Sequence, residues 1–189
     1  MATVMTPWRI RPLNPADTPD IARIHATCWR HAYRGILRDA YLDGDLEHDR
    51  ESAWRTRLAI ADGSLGWIAT ERDALVGFLY ARPAADARWG SHVENLHVMP
   101  SHHGRGIGRD LLHTLGLWLC TRDNDTSDGV FLWVLAENAP ARAMYARCGG
   151  DSVEQAPRAT ADGGTVPAHR IIWQSAAALV TATASPRHG

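Results

Sequence analysis

Residues 102–109 combine closely spaced glycines with arginines, directly before a stretch of helical periodicity. The first N–H groups of a helix have no acceptor within the helix, and they lie at the positive end of its dipole. Glycines lack the side chains that would keep a bulky diphosphate away from those donors. The pattern therefore predicts a loop that binds a phosphorylated ligand, built on these residues: Gly104, Arg105, Gly106, Gly108 and Arg109.

Other phosphate-binding loops fit this segment less well. A dinucleotide-binding GxGxxG pattern that starts at Gly104 requires glycine at position 109, where the chain has Arg109. A Walker loop requires a Gly-Lys-Ser/Thr sequence, which does not follow here. A purely structural role for the glycines stays open, in which they only let the helix pack closely on the sheet.

Polar side chains at two further places lie at spacings that bring them together. His92 and Glu94 alternate onto the same side of a predicted strand, and a bulge in that strand would re-aim either one. Asn138 and Tyr145 are about two helical turns apart, so they project from one helix face. Both pairs also suit simpler roles, as polar residues at a strand end and as a packed tyrosine.

A metal site is the weaker interpretation of the histidines at 97, 102 and 103. A zinc site requires further Cys or carboxylate ligands at typical spacing, and none completes a tetrahedral set here. We therefore expect no bound metal.

The predicted elements place the glycine loop between a strand and a helix. The strand SHVENLHVMP stops at Pro100, and a helix follows the loop. VFLWVLA is typical of a buried central strand, and the next helix has Asn138 as N-cap and Gly149 at its end. The helix after the loop is indicated by apolar residues at helical spacing: Ile107, Leu111, Leu115 and Trp118.

The remaining patterns indicate a single α/β (α+β) domain over residues 8–173. SLGWIATERDALVGFLYARP predicts an antiparallel hairpin, and VPAHRIIWQ predicts the last strand. The sum is a mixed, mostly antiparallel sheet of six to seven strands with helices on both faces. Residues 1–7 and 176–189 are small and polar, so we expect weakly ordered termini.

Composition excludes several classes of partner. The 189 residues include 20 Lys and Arg against 21 Asp and Glu, which leaves no basic excess for a nucleic acid or an anionic membrane surface. The three cysteines lie far apart without a CxxC pair, and no apolar run approaches the roughly 20 residues that span a bilayer. We expect a cytoplasmic protein with no nucleic-acid or membrane partner, and a homodimer stays open.

Two motifs carry a resemblance to the Gcn5-related N-acetyltransferases (GNAT). VENLHVMPSHHGRGIGRDLL resembles the coenzyme-binding segment, with signature Gln/Arg-x-x-Gly-x-Gly/Ala, although His103 departs from its first position. NAPARAMYARCGG is similar to the helix Asn-x-x-Ala-x-x-x-Tyr-x-x-x-Gly-Phe, with Gly150 where an aromatic residue is usual. The resemblance covers residues 8–173 and implies a GNAT-like fold.

The resemblance also implies a co-substrate and a role for each site residue. Acetyl-CoA would be the co-substrate, Tyr145 the acid that protonates the departing thiolate, and Glu94 the general base, with His92 as partner or substitute. The acceptor pocket would be shaped by three residues: Trp29, Tyr33 and Arg34. The coenzyme would contact strand, loop and helix residues: Leu96, His97, Val98, His103, Gly104, Arg105, Gly106, Ile107, Gly108, Arg109 and Asn138.

These expectations describe an N-acetyltransferase in which a primary amine attacks acetyl-CoA directly in a ternary complex, without an acylated cysteine. The acceptor amine belongs to a small molecule or to a protein. Two other classes stay open: an acyl-CoA-binding regulatory module without catalysis, and a nucleotide-dependent oxidoreductase. Glu94 and Tyr145 argue against the first, and the missing dinucleotide-binding glycine argues against the second.

Overall fold

The computed structural model describes residues 7–122 and 129–184. Its strands are β1 (Arg9–Pro12), β2 (Leu65–Glu71), β3 (Ala74–Asp86), β4 (Gly90–Val98), β5 (Val130–Leu135), β6 (Asp151–Ala159) and β7 (Thr165–Trp173). Its helices are α1 (Thr18–Ala32), α2 (Asp39–Leu42), α3 (Leu46–Leu58), α4 (Ile107–Cys120), α5 (Ala139–Arg147) and α6 (Ala176–Thr183). Single 3-10 turns lie at Pro15–Asp17 and Pro100–His102. None of the helices in these ranges has both the length and the apolar composition that crossing a membrane requires.

The strands form one seven-stranded sheet in the order β1-β2-β3-β4-β5-β7-β6. Every neighbouring pair is antiparallel except β4 and β5, which run parallel. This arrangement confirms the predicted mixed, mostly antiparallel sheet. The parallel pair lies in the middle of the sheet, between two antiparallel halves.

The alternation of side chains along β2 and β3 explains why helices cover both faces of the sheet. Ile68 and Phe78 point to one face, where they pack with residues of α1 and α3 such as Ile24. Trp67 and Leu79 point to the other face and join the core that includes α4 and α6. Because successive strand residues face opposite sides, each helix layer has its own apolar surface to cover.

The prediction that residues 176–189 are weakly ordered is wrong for Ala176–Thr183, which form α6. Ser175 caps this helix through a bond from the backbone N–H of Ala178, and Leu179 is completely buried. Gly116 of α4 allows the close contact, since a Cβ there would lie 2.8 Å from a methyl of Val180. The small residues that suggested a loose tail are good helix formers that let α6 pack tightly. Residues 1–6 and 185–189 lie outside the described ranges.

Candidate active site

A cleft opens between β4 and β5 because their parallel pairing is short. Only Ser91 and His92 of β4 are paired with β5, opposite Val130 and Phe131. Beyond them the strands separate, so half of the backbone N–H and C=O groups of the following β4 residues face the opening. The cleft is lined by residues of α1, β4, β5 and α5: Cys28, Trp29, Ala32, Tyr33, Val93, Glu94, Asn95, Leu96, His97, Leu132, Trp133, Val134, Asn138, Ala141 and Tyr145.

The glycine loop follows β4 and leads into α4, as the sequence predicts. Gly104 has φ 75° and Gly106, the N-cap of α4, has φ 96°. Both values lie in the left-handed region that favours glycine. No side chain caps α4, and a Cβ at Gly104 would meet no atom within 4 Å. The space and the uncapped N–H groups both fit a diphosphate.

The charged side chains of the loop are held by neighbouring residues. Arg105 pairs with Glu71 at the end of β2, with Nη2 2.5 Å from Oε1, and His102 Nε2 lies 3.2 Å from the same carboxylate. Arg109 Nη2 lies 2.9 Å from Asp110 Oδ1, and it would be 3.3 Å from a Cβ at Gly106. Arg109 therefore lies directly beside the loop, whereas Arg105 is directed towards β2.

His103 anchors the loop to the end of β4. Its Nε2 lies 2.9 Å from the carbonyl oxygen of Val98, which also accepts a hydrogen bond from Cys28 Sγ at 3.3 Å. The histidine that departs from the first position of the family signature thus makes a structural contact, which the signature did not indicate.

Asn138 and Tyr145 both line the cleft, which agrees with their predicted position on one face of a helix. The Asn138 side chain caps α5, because its Oδ1 accepts from the backbone N–H of Ala141 at 3.3 Å. Tyr145 is buried, and this burial raises the pKa of its phenol above the ordinary value. The phenol therefore keeps its proton at neutral pH and can act as a donor.

Glu94 lies at a bulge in β4, the kind of distortion considered from the sequence. Tyr80 of β3 is opposite Asn95, but the next β3 residue, Ala81, is opposite Val93. No residue of β3 therefore lies opposite Glu94 in the strand pairing. The bulged Glu94 lines the cleft, where its carboxylate pairs with Arg82 and lies 3.9 Å from Arg57.

His92 lies beside Glu94, with Nδ1 3.9 Å from Oε1. Its ring stacks on Phe131 with centroids 4.5 Å apart. Burial lowers the pKa of His92 to about 4, so its imidazole is neutral at pH 7. The structure therefore brings the two base candidates together, with Glu94 as the one that lines the cleft.

Of the three predicted acceptor residues, Trp29 and Tyr33 line the cleft and Arg34 does not. The Arg34 guanidinium is bound to Asp43 at 2.7 Å and to Asp39 at 3.1 Å. Asp39 is the first residue of α2, and Asp43 directly follows the helix. Arg34 therefore holds α2 in place instead of lining the cleft.

Sequence analysis did not assign Cys28 or His25 to this region. Burial raises the pKa of the Cys28 thiol to about 12. The ring of His97 packs 4.5 Å from that of His25, which accepts a 2.9 Å hydrogen bond from Trp54. Burial lowers the pKa of both histidines, to about 4 for His97. Helical periodicity places both residues on the apolar face of α1, because His25 lies four residues after Ile21 and three before Cys28.

The histidines considered for a metal site have separate partners. His97 contacts His25, His102 contacts Glu71, and His103 contacts Val98. In residues 7–122 and 129–184, no three His, Cys, Asp or Glu side chains are grouped closely enough to hold an ion.

The loop after α1 is tied to the turn between β6 and β7 through Asp162. This buried carboxylate accepts from the backbone N–H of Arg38 at 2.9 Å and from the Thr160 hydroxyl at 2.5 Å. The Arg38 guanidinium also pairs with it at 3.5 Å. The contact therefore joins the loop that follows α1, one wall of the cleft, to the β6–β7 turn.

We expect Asp162→Ala to lower the free energy of unfolding at pH 7 by about 1–3 kcal/mol, because several donors lose a buried acceptor. The hydrogen bond from Thr160 and then that from Arg38 lower the pKa of Asp162 to about 2. Since its unfolded value is roughly 3.9, this contribution is present above that pH and is lost as pH falls towards 2. Thermal unfolding measured between pH 7 and pH 2 checks both points, with Asp20→Ala in an exposed pair as the control. Equal unfolding of the two variants would contradict the assignment.

Comparison with known proteins agrees with this geometry. Residues 15–150 match the model of the acetyltransferase (GNAT) family. A protein of Mycobacterium tuberculosis, named a probable N-acetyltransferase, is 27% identical over 139 residues, which are 72% of this chain and 76% of that protein.

Solved structures share the fold at low identity. A GCN5-related N-acetyltransferase from Rhodopseudomonas palustris superposes with a TM-score of 0.71 at 19% identity, covering 92% of this chain and 99% of that one. The PaiA N-acetyltransferase from Thermoplasma acidophilum, solved in complex with coenzyme A, gives 0.69 at 16% identity, with 88% and 98% covered. The predicted resemblance is confirmed: the chain belongs to the acetyltransferase (GNAT) family, whose co-substrate is acetyl-CoA.

Proposed function

We propose that this acetyltransferase acts on a primary amine, which attacks acetyl-CoA directly in a ternary complex. The observation that carries the proposal is the pairing of functions in one cleft, where the protonated phenol of Tyr145 and the carboxylate of Glu94 both line the opening. A regulatory module without catalysis would not need this pair.

The coenzyme would be held mainly by the backbone. The N–H groups at the start of α4 suit its diphosphate, with Arg109 beside them, and Asn138 lies on the opposite wall of the cleft. The separated part of β4, at Leu96, His97 and Val98, offers N–H and C=O groups to the pantetheine arm. Because the Val98 carbonyl already accepts two hydrogen bonds, the other polar groups of this stretch would make those contacts.

Acetyl-CoA supplies a thioester whose carbonyl carbon is open to attack by a neutral amine. A backbone N–H of β4 that faces the cleft would stabilise the negative charge that develops on the carbonyl oxygen. Tyr145 would donate its phenolic proton to the departing sulfur. Cys28 also lines the cleft, but its pKa of about 12 keeps the thiol protonated and unreactive, which supports direct attack by the amine.

Glu94 would accept a proton from the acceptor amine at the other end of the cleft. Arg82 holds its carboxylate in position, and the neutral imidazole of His92 is near enough to share a water with it. Trp29 and Tyr33 would form the wall against which the acceptor packs. The acceptor belongs to a small molecule or a protein.

Location and assembly stay predictions. The balanced charge and the separate cysteines favour the cytoplasm without a nucleic-acid partner, and either a monomer or a homodimer fits the chain.

The proposed activity is tested by an acceptor screen that reports free thiol released from acetyl-CoA. We expect release that depends on an added primary amine, together with formation of the acetylated amine by mass spectrometry. If acetyl-CoA binds but no amine releases thiol, the chain is a coenzyme-binding module and the proposal is wrong.

We expect Glu94→Gln to lower kcat/KM at neutral pH by at least roughly tenfold, because the protonated amine then lacks a base. The loss should shrink as pH rises, since an amine with a pKa near ~10 supplies more neutral nucleophile on its own. The pH dependence of kcat/KM for the wild type and the variant is the measurement.

His92→Ala is the comparison for that prediction. If Glu94→Gln keeps the wild-type profile while His92→Ala loses activity, His92 is the base. If neither change matters for the true acceptor, no side-chain base takes part in the reaction.

A further inference from the structure

One half of the sheet carries a group of aromatic and arginine side chains next to the cleft. Val130, Leu132 and Val134 of β5 are in the core, so Phe131 and Trp133 point to the opposite face. Trp133 pairs with Arg170 of β7 across the sheet, which places both side chains on that face. We call the following residues the aromatic–arginine cluster: Trp89, Phe131, Trp133, Arg158 and Arg170.

The arginines of the cluster stack on the aromatic rings. The guanidinium carbon of Arg170 lies 4.4 Å from the ring centroid of Trp133, 4.6 Å from Trp89 and 5.2 Å from Phe131. That of Arg158 lies 4.8 Å from the ring of Trp133. Stacking fixes a guanidinium by its face and leaves the N–H groups at its edge available to an acceptor in the same plane.

The two arginines differ in how far their charge is already paired. Arg170 is paired with Glu154, because its Nε lies 3.2 Å from Oε2 of that carboxylate. The geometry of this buried nitrogen does not make the contact a hydrogen bond, so this contact is an ion pair only. Arg158 is exposed, and among residues 7–122 and 129–184 no carboxylate lies within ion-pair distance of it. Arg158 therefore holds a fixed positive charge that can bind an anion.

The cluster is continuous with the end of the cleft that holds Glu94. Trp133 lines the cleft itself, and Phe131 stacks on His92, which lies 3.9 Å from Glu94. Burial lowers the pKa of His92, the negative charge of Glu94 opposes this shift, and the positive charges of Arg82, Arg158 and Arg170 lower the pKa further. The positive potential of the cluster therefore reaches the place where the acceptor amine would lose its proton.

From this arrangement we propose that the acceptor is a small amine with an oxyanion, a carboxylate or a phosphate, which Arg158 binds at the edge of the cluster. The inference rests on the proposed function, since it concerns the amine that reaches Glu94. The carboxylate of Glu94 is already paired with Arg82, so a second cation such as a diamine would find no free acidic partner there. Asp162 lies in the turn four residues beyond Arg158, and it is bonded to Arg38 in the loop after α1. Because this contact ties the two loops together, it favours a small acceptor over a folded protein surface.

The preference is tested in the thiol-release assay with amines of matched length. The acceptors are β-alanine and γ-aminobutyrate, the amides of both, aminoethyl phosphate, and putrescine. We expect kcat/KM for the carboxylates or the phosphate to exceed that for the amides at least roughly tenfold, from one charge-assisted bidentate contact. Comparison of the carboxylate and phosphate arms identifies which oxyanion is bound. A higher kcat/KM for the amides or for putrescine would overturn the proposal.

Arg158→Gln assigns the preference to its residue. We expect this exposed variant to fold normally, to raise KM for the oxyanion acceptors at least roughly tenfold, and to leave the amides unaffected. Arg122→Gln is the matched control, because Arg122 stacks on Trp118 at 4.7 Å beyond the end of α4. If Arg158→Gln keeps the preference for oxyanion acceptors over amides, Arg158 does not bind the oxyanion.

Equilibrium binding separates the site from the reaction. N-acetyl-β-alanine and N-acetyl-γ-aminobutyrate are titrated by calorimetry into the wild type and Arg158→Gln in the presence of coenzyme A. Binding that Arg158→Gln weakens supports the site even if no amine is acetylated, which would count against the proposed function alone. Equal affinity for both proteins, or no binding to either, overturns the site.

Discussion

Gly106→Val is expected to lower the affinity for acetyl-CoA by at least roughly 100-fold while the protein still folds. Gly106 has φ 96° and is the N-cap of α4, so a branched side chain would alter the backbone that presents the first N–H groups. A Cβ at this position would also press on Arg109, 3.3 Å away. Loss of two charge-assisted hydrogen bonds at about 1.5–3 kcal/mol each accounts for an effect of this size.

Gly63→Val is the matched control for this prediction. Gly63 has a similar φ of 79°, lies between α3 and β2, and has no atom within 4 Å of a Cβ. Both variants therefore carry the strain of a left-handed valine, but only one alters the loop. Calorimetric titration with acetyl-CoA and a thermal melt of each protein are the measurements. Normal affinity in a folded Gly106→Val protein would show that the diphosphate binds elsewhere.

Tyr145→Phe is expected to lower kcat by at least roughly tenfold with little change in coenzyme affinity, because the hydroxyl acts only as the thiolate departs. The raised pKa of the phenol adds a condition on pH. Tyr145 stays protonated beyond its ordinary value near ~10, so the wild type should show no loss of kcat from its ionisation at or below that pH.

Tyr80→Phe is the control for that substitution. Tyr80 is also a buried tyrosine, but it packs in the core beneath α1 and α3 and does not line the cleft. Steady-state kinetics of both variants, with calorimetry of acetyl-CoA binding, separate a chemical role from general packing. A kcat that is unchanged in Tyr145→Phe would assign that residue to packing, unless product release limits turnover.

Local patterns predicted the parts of the site that are contiguous in the chain. The glycine spacing, the strand before it and the helix after it are all read from residues near one another, and so is the shared face of Asn138 and Tyr145. The alternation of His92 and Glu94 is local too, and the bulge adds only a local distortion. The family resemblance rests on these same segments.

Contacts between distant segments were not predictable from such patterns. Arg38 and Asp162 are 124 positions apart, and the position of each is decided by the turn that carries it. Arg34 has the positive charge expected in an acceptor pocket, but its guanidinium is paired with two carboxylates in and next to α2. The aromatic–arginine cluster draws on three strands and a turn, so its members have no common spacing in the sequence.

The packing of α6 changes what counts as the minimal unit of this enzyme. The Thr183 hydroxyl oxygen lies 3.1 Å from Nδ1 of His113 in α4, so the two side chains share a hydrogen bond. A Cβ at Gly149, just beyond α5, would lie 2.6 Å from Ala182. The last helix thus buttresses both the helix that begins at the glycine loop and the helix that carries Tyr145. The match to the family model ends at residue 150. A truncated or transplanted version that stops there would lose the support behind the glycine loop and Tyr145, so we expect the boundary of a working fragment to lie beyond Thr183.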